Sequence, residues 1–125
     1  MYILDTHTFL WFLRDSKDLS STAKEIICSQ KDISVSVASL WEIAIKKSLG
    51  KLNFDYSFCD IEQLCYQKDI NILPILGKDL DVIQTLENIH GDPFDRLIIS
   101  QGISNSAIII TKDSVIPKYP VRTVW

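Results

Sequence analysis

The chain has 125 residues, 46% of them hydrophobic and 23% charged, a globular balance that predicts one domain over residues 1–125 with a sizeable core and no repeat or low-complexity tract. A net charge of −3 and a pI near 5.2 argue against coating of nucleic acid by broad electrostatics, so any such contact must be local. No apolar run approaches the length of a membrane span, and Met1-Tyr2-Ile3-Leu4-Asp5 offers no basic region ahead of a signal core, so a cytoplasmic protein is expected, with no membrane partner.

Tyr2-Ile3-Leu4 is a short apolar run that predicts a strand, and Asp5-Thr6-His7-Thr8 turns it into a helix that Thr6 or Thr8 would cap. Asp5 stands at the carboxyl end of that strand, where it is either another cap or a site residue. Phe9-Leu10-Trp11-Phe12-Leu13 then covers nearly the whole circumference of the helix with large apolar groups, which implies burial on more than one side or a partner. His7, with only His90 for company, reads as a surface histidine. Thr22 to Gln30 sets Ala23, Ile26 and Ile27 at helical core spacing, with Cys28 near that face. Cys28, Cys59 and Cys65 include no C-x-x-C pair, so neither a disulfide framework nor a zinc site is indicated, and mostly packed, reduced thiols are expected.

Asp32 to Val37 alternates apolar and polar residues and favours β-branched ones, which predicts a second strand. It leads into a helix from Ala38 that Gly50 stops, with Lys46 and Lys47 in the last turns where the helix dipole favours cations. Trp41, Ile45 and Leu49 mark its apolar stripe. Glu42 lies off that stripe, as a site residue or as the closing member of a Ser39-x-x-Glu42 capping box. Ile61, Leu64, Cys65 and Lys68 suggest a further helix, Ile70 to Ile75 a third strand closed by Pro74, and Lys78 to Ile89 another helix. In His90-Gly91-Asp92-Pro93-Phe94-Asp95-Arg96, Asp92 suits a helix N-cap and Pro93 the first helical position. Asp95 is then the third helical residue, where an acid either serves the cap or a site. Ala107 to Thr111 is the uninterrupted apolar run of a central parallel strand, followed at once by Lys112-Asp113, and Val121 to Val124 is a last short strand.

Strands alternating with helices predict an α/β fold, a three-layer α/β/α sandwich around a parallel sheet with right-handed crossovers. If the first strand neighbours the strand at Ala107 to Thr111, then Asp5, Glu42, Asp95 and Asp113 surround one crevice at the topological switch point. Like charges so gathered repel unless a divalent cation neutralises them, and carboxylates without histidine or cysteine suit Mg²⁺ or Mn²⁺.

Leu4-Asp5-Thr6-His7, Ser39-Leu40-Trp41-Glu42-Ile43-Ala44-Ile45-Lys46 with Gly50-Lys51-Leu52, Asp92-Pro93-Phe94-Asp95-Arg96 and Thr111-Lys112-Asp113 together resemble the ordered motifs of PIN-domain proteins, specifically the VapC-type toxins of bacterial toxin-antitoxin pairs. The resemblance covers essentially the whole chain. It implies a PIN-like fold, a metal-dependent endoribonuclease, a homodimer, and a cognate antitoxin that blocks the site. By position, Asp5, Glu42, Asp95 and Asp113 match the family's acidic quartet, while Asp92 is an extra acid that either coordinates through water or caps. Thr6 and Thr111 could hydrogen-bond these acids, and Arg96 or Lys46 could hold a phosphate of the RNA, each against the alternative of a surface or capping role. The apolar helices of Phe9 to Leu13 and of Trp41, Ile45 and Leu49 predict a groove for an antitoxin segment. Two other classes stay in view: a Mg²⁺-binding phosphoacceptor or phosphotransfer domain, and a binding module whose acids all cap helices. The former needs an acceptor acid after a central strand, which the run ending at Ile75 lacks.

Overall fold

Parallel pairing carries the whole sheet. A computed structural model describes residues 1–125, and its strands β1 (Tyr2–Leu4), β2 (Ile33–Ser36), β3 (Ile70–Leu73), β4 (Ile108–Ile110) and β5 (Arg122–Val124) lie in the order β3-β2-β1-β4-β5. Every neighbouring pair is parallel. The helices are α1 (Thr6–Leu13), α2 (Ser21–Ser29), α3 (Val37–Ser48), α4 (Phe58–Gln67), α5 (Gly77–Thr85) and α6 (Pro93–Ser104), and a 3₁₀ turn spans Ile116–Lys118. From the central β1 the chain steps outward to β2 and β3, then returns to lay β4 on the other flank of β1. The switch point therefore lies between β1 and β4, where open sheets of this kind place their crevice. The register Leu4↔Ile110 puts Asp5 and Thr111 side by side at that edge, and the Asp5 amide donates to the Ile110 carbonyl at 3.2 Å.

Side-chain alternation on the two central strands splits the core into two layers. Leu4 and Ile110 pack with Phe9 of α1, Ile27 of α2 and Ile61 of α4 on one face. Ile3 and Ile109 pack with Ile98 and Ile99 of α6 on the other. The three-layer α/β/α expectation holds. The Ile-Ser-Val-Ser alternation of β2 does not mark a solvent face, because all four residues are buried under helices on both sides.

Several local expectations need correction. The cap of α1 is Asp5, one of the two readings open for it, with its carboxylate accepting from the Thr8 amide at 2.8 Å; neither Thr6 nor Thr8 caps the helix. The cap of α3 is Ser36, which accepts from Ala38 N at 3.0 Å, so Ser39 lies inside the helix and forms no capping box with Glu42. The stripe of Trp41, Ile45 and Leu49 is not the core face: Trp41 is 58% and Leu49 61% exposed, while Ala38, Ser39, Glu42 and Ile43 are buried. The buried face is turned roughly 100° from the large side chains, one residue along a 3.6-residue turn. Gly50, with φ of +68°, follows α3 in the left-handed conformation that ends helices, as its place after Leu49 predicts. The helix expected over Lys78 to Ile89 is α5, which stops at Thr85. Of the cysteines only Cys65 is packed, its thiol pushed up to about 11 by burial and then by Glu62, whereas Cys28 and Cys59 are exposed.

Candidate active site

Asp5 leaves the end of β1 with both carboxylate oxygens engaged. One accepts from the Thr8 amide at 2.8 Å, and the other receives a short hydrogen bond from the Thr111 hydroxyl, just beyond β4. Thr111 also accepts from the Asp113 amide at 3.0 Å, so one threonine ties two acids to the end of β4. Asp113 in turn accepts at one oxygen from the amides of Val115 at 2.6 Å and Ile116 at 3.2 Å, which opens the 3₁₀ turn.

Glu42 reaches the same edge from the second turn of α3. Burial of this charge, to 5% exposure, is supported by two partners: the Thr6 hydroxyl donates to its Oε1 at 2.7 Å and Lys46 lies 2.8 Å from its Oε2. Thr6 and Thr111 thus both touch the acids they were expected to support. Lys46, expected at a phosphate, is instead placed as the counter-charge of Glu42, an i,i+4 pair on α3.

Asp95 comes from the first turn of α6. Asp92 caps that helix, its Oδ1 accepting from Phe94 N at 2.9 Å and Asp95 N at 3.1 Å. The Asp95 carboxylate itself accepts no hydrogen bond, and the basic side chain beside it is His90, Nε2 at 3.7 Å. Its pKa is pushed up to about 7 from 3.8, first by desolvation and then by the charges of Asp92, Glu42, Asp5 and Asp113. All four neighbours therefore act on one carboxyl. Their side chains are not a ready-made cage, since no three His, Cys, Asp or Glu side chains stand close enough together to hold one ion as they are.

Arg96 points away from a phosphate role. Its guanidinium donates to the carbonyls of Glu87 at 2.8 Å, Leu86 at 3.2 Å and His90 at 3.4 Å, which fastens the segment ahead of α6. Beside the acids opens a cavity of about 310 Å³ lined by Asp5, His7, Trp11, Lys112 and Asp113. The rings of His7 and Trp11 lie 5.7 Å apart and Lys112 Nζ sits 5.9 Å from the Trp11 ring. The sequence reads His7 as a surface histidine and gives His90 no role at the acids. The signal that could have found them is their place two residues from Asp5 and Asp92, on the strand and helix ends that form the site.

A doubly wound parallel sheet that gathers carboxylates at its switch point defines the class of α/β domain to which this chain belongs. The family follows from the sequence itself: the chain matches the PIN domain over residues 2–121 and belongs to that family, one of nucleases. No curated protein sequence matches it. Among solved structures, VapBC2 from Rickettsia felis, bound to a DNA fragment from its promoter, is similar with a TM-score of 0.72 at 14% identity, covering 98% of this chain and 96% of that one. VapBC-1 from nontypeable Haemophilus influenzae is similar with a TM-score of 0.66 at 19% identity over 98% and 96% of the two chains. A toxin-antitoxin complex from Klebsiella pneumoniae gives a TM-score of 0.61 at 13% identity over 91% and 88%. No helix of the chain is long and apolar enough to cross a membrane.

Proposed function

We propose that this protein is a metal-dependent endoribonuclease, the toxin of a toxin-antitoxin pair, acting as a cytoplasmic homodimer on RNA. The observation that carries the reading is the placement of Asp5, Glu42, Asp95 and Asp113 around the β1/β4 switch point, with Asp95 free of hydrogen-bond donors and under the charge of the others. The donor set consists of carboxylate oxygens alone, which fits a hard cation such as Mg²⁺ or Mn²⁺. Such an ion would supply Lewis acidity, activating water at neutral pH and neutralising charge on the leaving oxygen. Asp5, Glu42, Asp95 and Asp113 are the residues that would hold it, and Lys46 now lies against the Glu42 carboxylate.

The remaining residues have roles that follow from what they touch. Thr111 and the Thr8 amide orient Asp5, and Thr6 orients Glu42. Lys46 lies against Glu42 at the same edge, and its ammonium is the cation there that a phosphate would meet if the pair opened. The cavity at His7, Trp11 and Lys112 offers ring faces and an ammonium beside the acids, the chemistry that a base and phosphate of single-stranded RNA require.

For the antitoxin two apolar surfaces are available. One is a cleft of about 490 Å³ whose walls include Phe12, Leu13, Ile27, Tyr56 and Leu64. The other is the exposed stripe of α3, where the Trp41 and Phe94 rings meet edge to face, at 5.2 Å between ring centroids. The test is cleavage of an RNA pool by purified protein with Mg²⁺ or with EDTA, against an all-deoxy control. Cleavage that needs the metal, spares DNA and is lost in Asp5→Asn is expected. Cleavage undiminished by EDTA or in that variant would overturn the reading.

A further inference from the structure

We infer that His90 is a positioning residue of the acidic site, whose ring, locked by Tyr119 in the tautomer that carries hydrogen on Nε2, offers Asp95 the donor its carboxylate lacks. The consequence for catalysis rests on the nuclease reading; the placement does not. Tyr119 is buried, and its phenolic oxygen is approached by two N–H donors, the His90 amide at 3.1 Å and Arg96 Nη1 at 3.4 Å. With the His90 amide in one acceptor position and the guanidinium facing the other through a hydrogen it shares with the His90 carbonyl, the phenol's own hydrogen goes to the acceptor within reach, His90 Nδ1 at 2.8 Å. Nδ1 therefore accepts. A neutral imidazole carries a single N–H, so that hydrogen is on Nε2.

Nε2 is shielded from solvent and has no hydrogen-bond partner, a costly state for a donor. Beside it lies Asp95 Oδ2, at 3.7 Å, just beyond hydrogen-bond length. Site contacts of this kind tighten when the site is loaded. The ring cannot readily retreat, because Arg96 holds the carbonyls of Leu86, Glu87 and His90, and Tyr119 holds the ring from behind. Arg96 is thus explained by this device: it sits next to Asp95 on α6 and fixes the segment that presents His90 to it.

Two isosteric variants separate this role from mere support of Tyr119. A glutamine amide nitrogen falls where Nε2 was, facing Asp95, whereas an asparagine side chain reaches only as far as Nδ1, facing Tyr119. His90→Gln is expected to keep kcat within about threefold, and His90→Asn to lose about tenfold or more in kcat with KM unchanged. His90→Asn as active as His90→Gln, or more active, would overturn the proposal, since the ring would then serve only Tyr119. Imidazole ¹⁵N shifts of the metal-free wild type, taken at about pH 8.5 where a histidine is ordinarily neutral, supply a readout apart from activity. A protonated Nε2 is expected, giving way to mixed tautomers in Tyr119→Phe, and a protonated Nδ1 in the wild type would overturn the proposal. Failure of the wild type to cut RNA would count against the nuclease reading alone, the shifts still deciding the placement of His90.

Discussion

Asp95→Asn measures what the gathered charges cost the fold. The Asp95 carboxyl is pushed up to about 7 in the folded protein from 3.8 for the free side chain, first by desolvation and then by the charges of Asp92, Glu42, Asp5 and Asp113. A carboxyl with a raised folded value holds its proton more tightly when folded. Its contribution is therefore most favourable below the unfolded value and is lost as pH rises from about 4 to about 7. Three units at about 1.4 kcal/mol each set a ceiling of about 4 kcal/mol. The side chain keeps 23% exposure, so solvent and salt screening bring the expected figure nearer about 2 kcal/mol. Asparagine keeps the shape and removes the charge, at a loss of a few tenths of a kcal/mol for an acid in the first turn of a helix. In EDTA the variant should be more stable than wild type by about 1–2 kcal/mol at about pH 8, with the gap closing toward about pH 4. Urea denaturation at fixed ionic strength across that range reads it directly. Mg²⁺ should narrow the gap at high pH by stabilising the wild type. A difference that is flat with pH, or a variant less stable at pH 8, would refute the claim that Asp95 carries the electrostatic strain of the site.

Asp92→Ser should stay within about 0.5 kcal/mol of wild type and keep RNA cleavage, because serine caps a helix about as well as aspartate; loss of cleavage with the fold intact would move Asp92 into the machinery. Its removal should also lower the pKa of Asp95, since Asp92 is the largest of the charges acting on it, which carboxyl ¹³C shifts would register. Gly102→Ala should lower the melting temperature by an amount equivalent to about 1 kcal/mol. A Cβ there would meet Val121 Cγ2 at 2.8 Å and Ile109 Cδ1 at 3.0 Å, and the strain of moving both outweighs the helix propensity gained. A rise in melting temperature would show that Val121 yields without cost.

How much of this was legible in the sequence depended on whether the cause was local. The alternation of short apolar runs with helical stretches gave the parallel sheet, and the position of Asp5 and Asp113 directly after strands gave the crevice, because strand ends and caps are written in adjacent residues. Glu42 was only partly legible from pattern. Trp41, Ile45 and Leu49 have the size and spacing of a core stripe, yet the residues that seat α3 are the small and polar Ala38, Ser39 and Glu42 with Ile43. Pattern leaves Glu42 open between a cap and a site residue, and sets it at the crevice only on the condition that the first strand neighbours the strand at Ala107 to Thr111; the resemblance to PIN-domain toxins adds the match to the acidic quartet. The end of α5 was also hidden, since Leu86 and Ile89 continue the helical period with no glycine or proline before His90. What holds that segment out of the helix includes Arg96, reaching back to the carbonyls of Leu86 and Glu87 from the next helix. Likewise Tyr119 meets His90 across 29 residues and Thr111 meets Asp5 across 106, and no local pattern encodes either.

The distribution of donors explains how a chain can fold with so many carboxylates at one edge. Asp5 caps α1 and takes the Thr111 hydroxyl, Glu42 takes Thr6 and Lys46, Asp113 takes two amides of the 3₁₀ turn, and Asp92 takes two amides of α6. Apart from the Lys46 ammonium, each anion is matched to groups that the fold must satisfy in any event, the unpaired donors of helix ends or a hydroxyl at a strand end. Asp95 has no such match. It stands third in its helix, where Asp92 already occupies the first-turn amides, and it is left with the field of the others and the buried face of His90. The repulsion that four acids would spread over the site is thereby concentrated on one carboxyl. Asp95 and Glu42 are the two acids of the group that cap no helix or turn, and of these only Asp95 lacks a hydrogen-bond donor, so a cation, a neighbouring imidazole or a single substitution can relieve its ionisation without disturbing a cap or a paired charge.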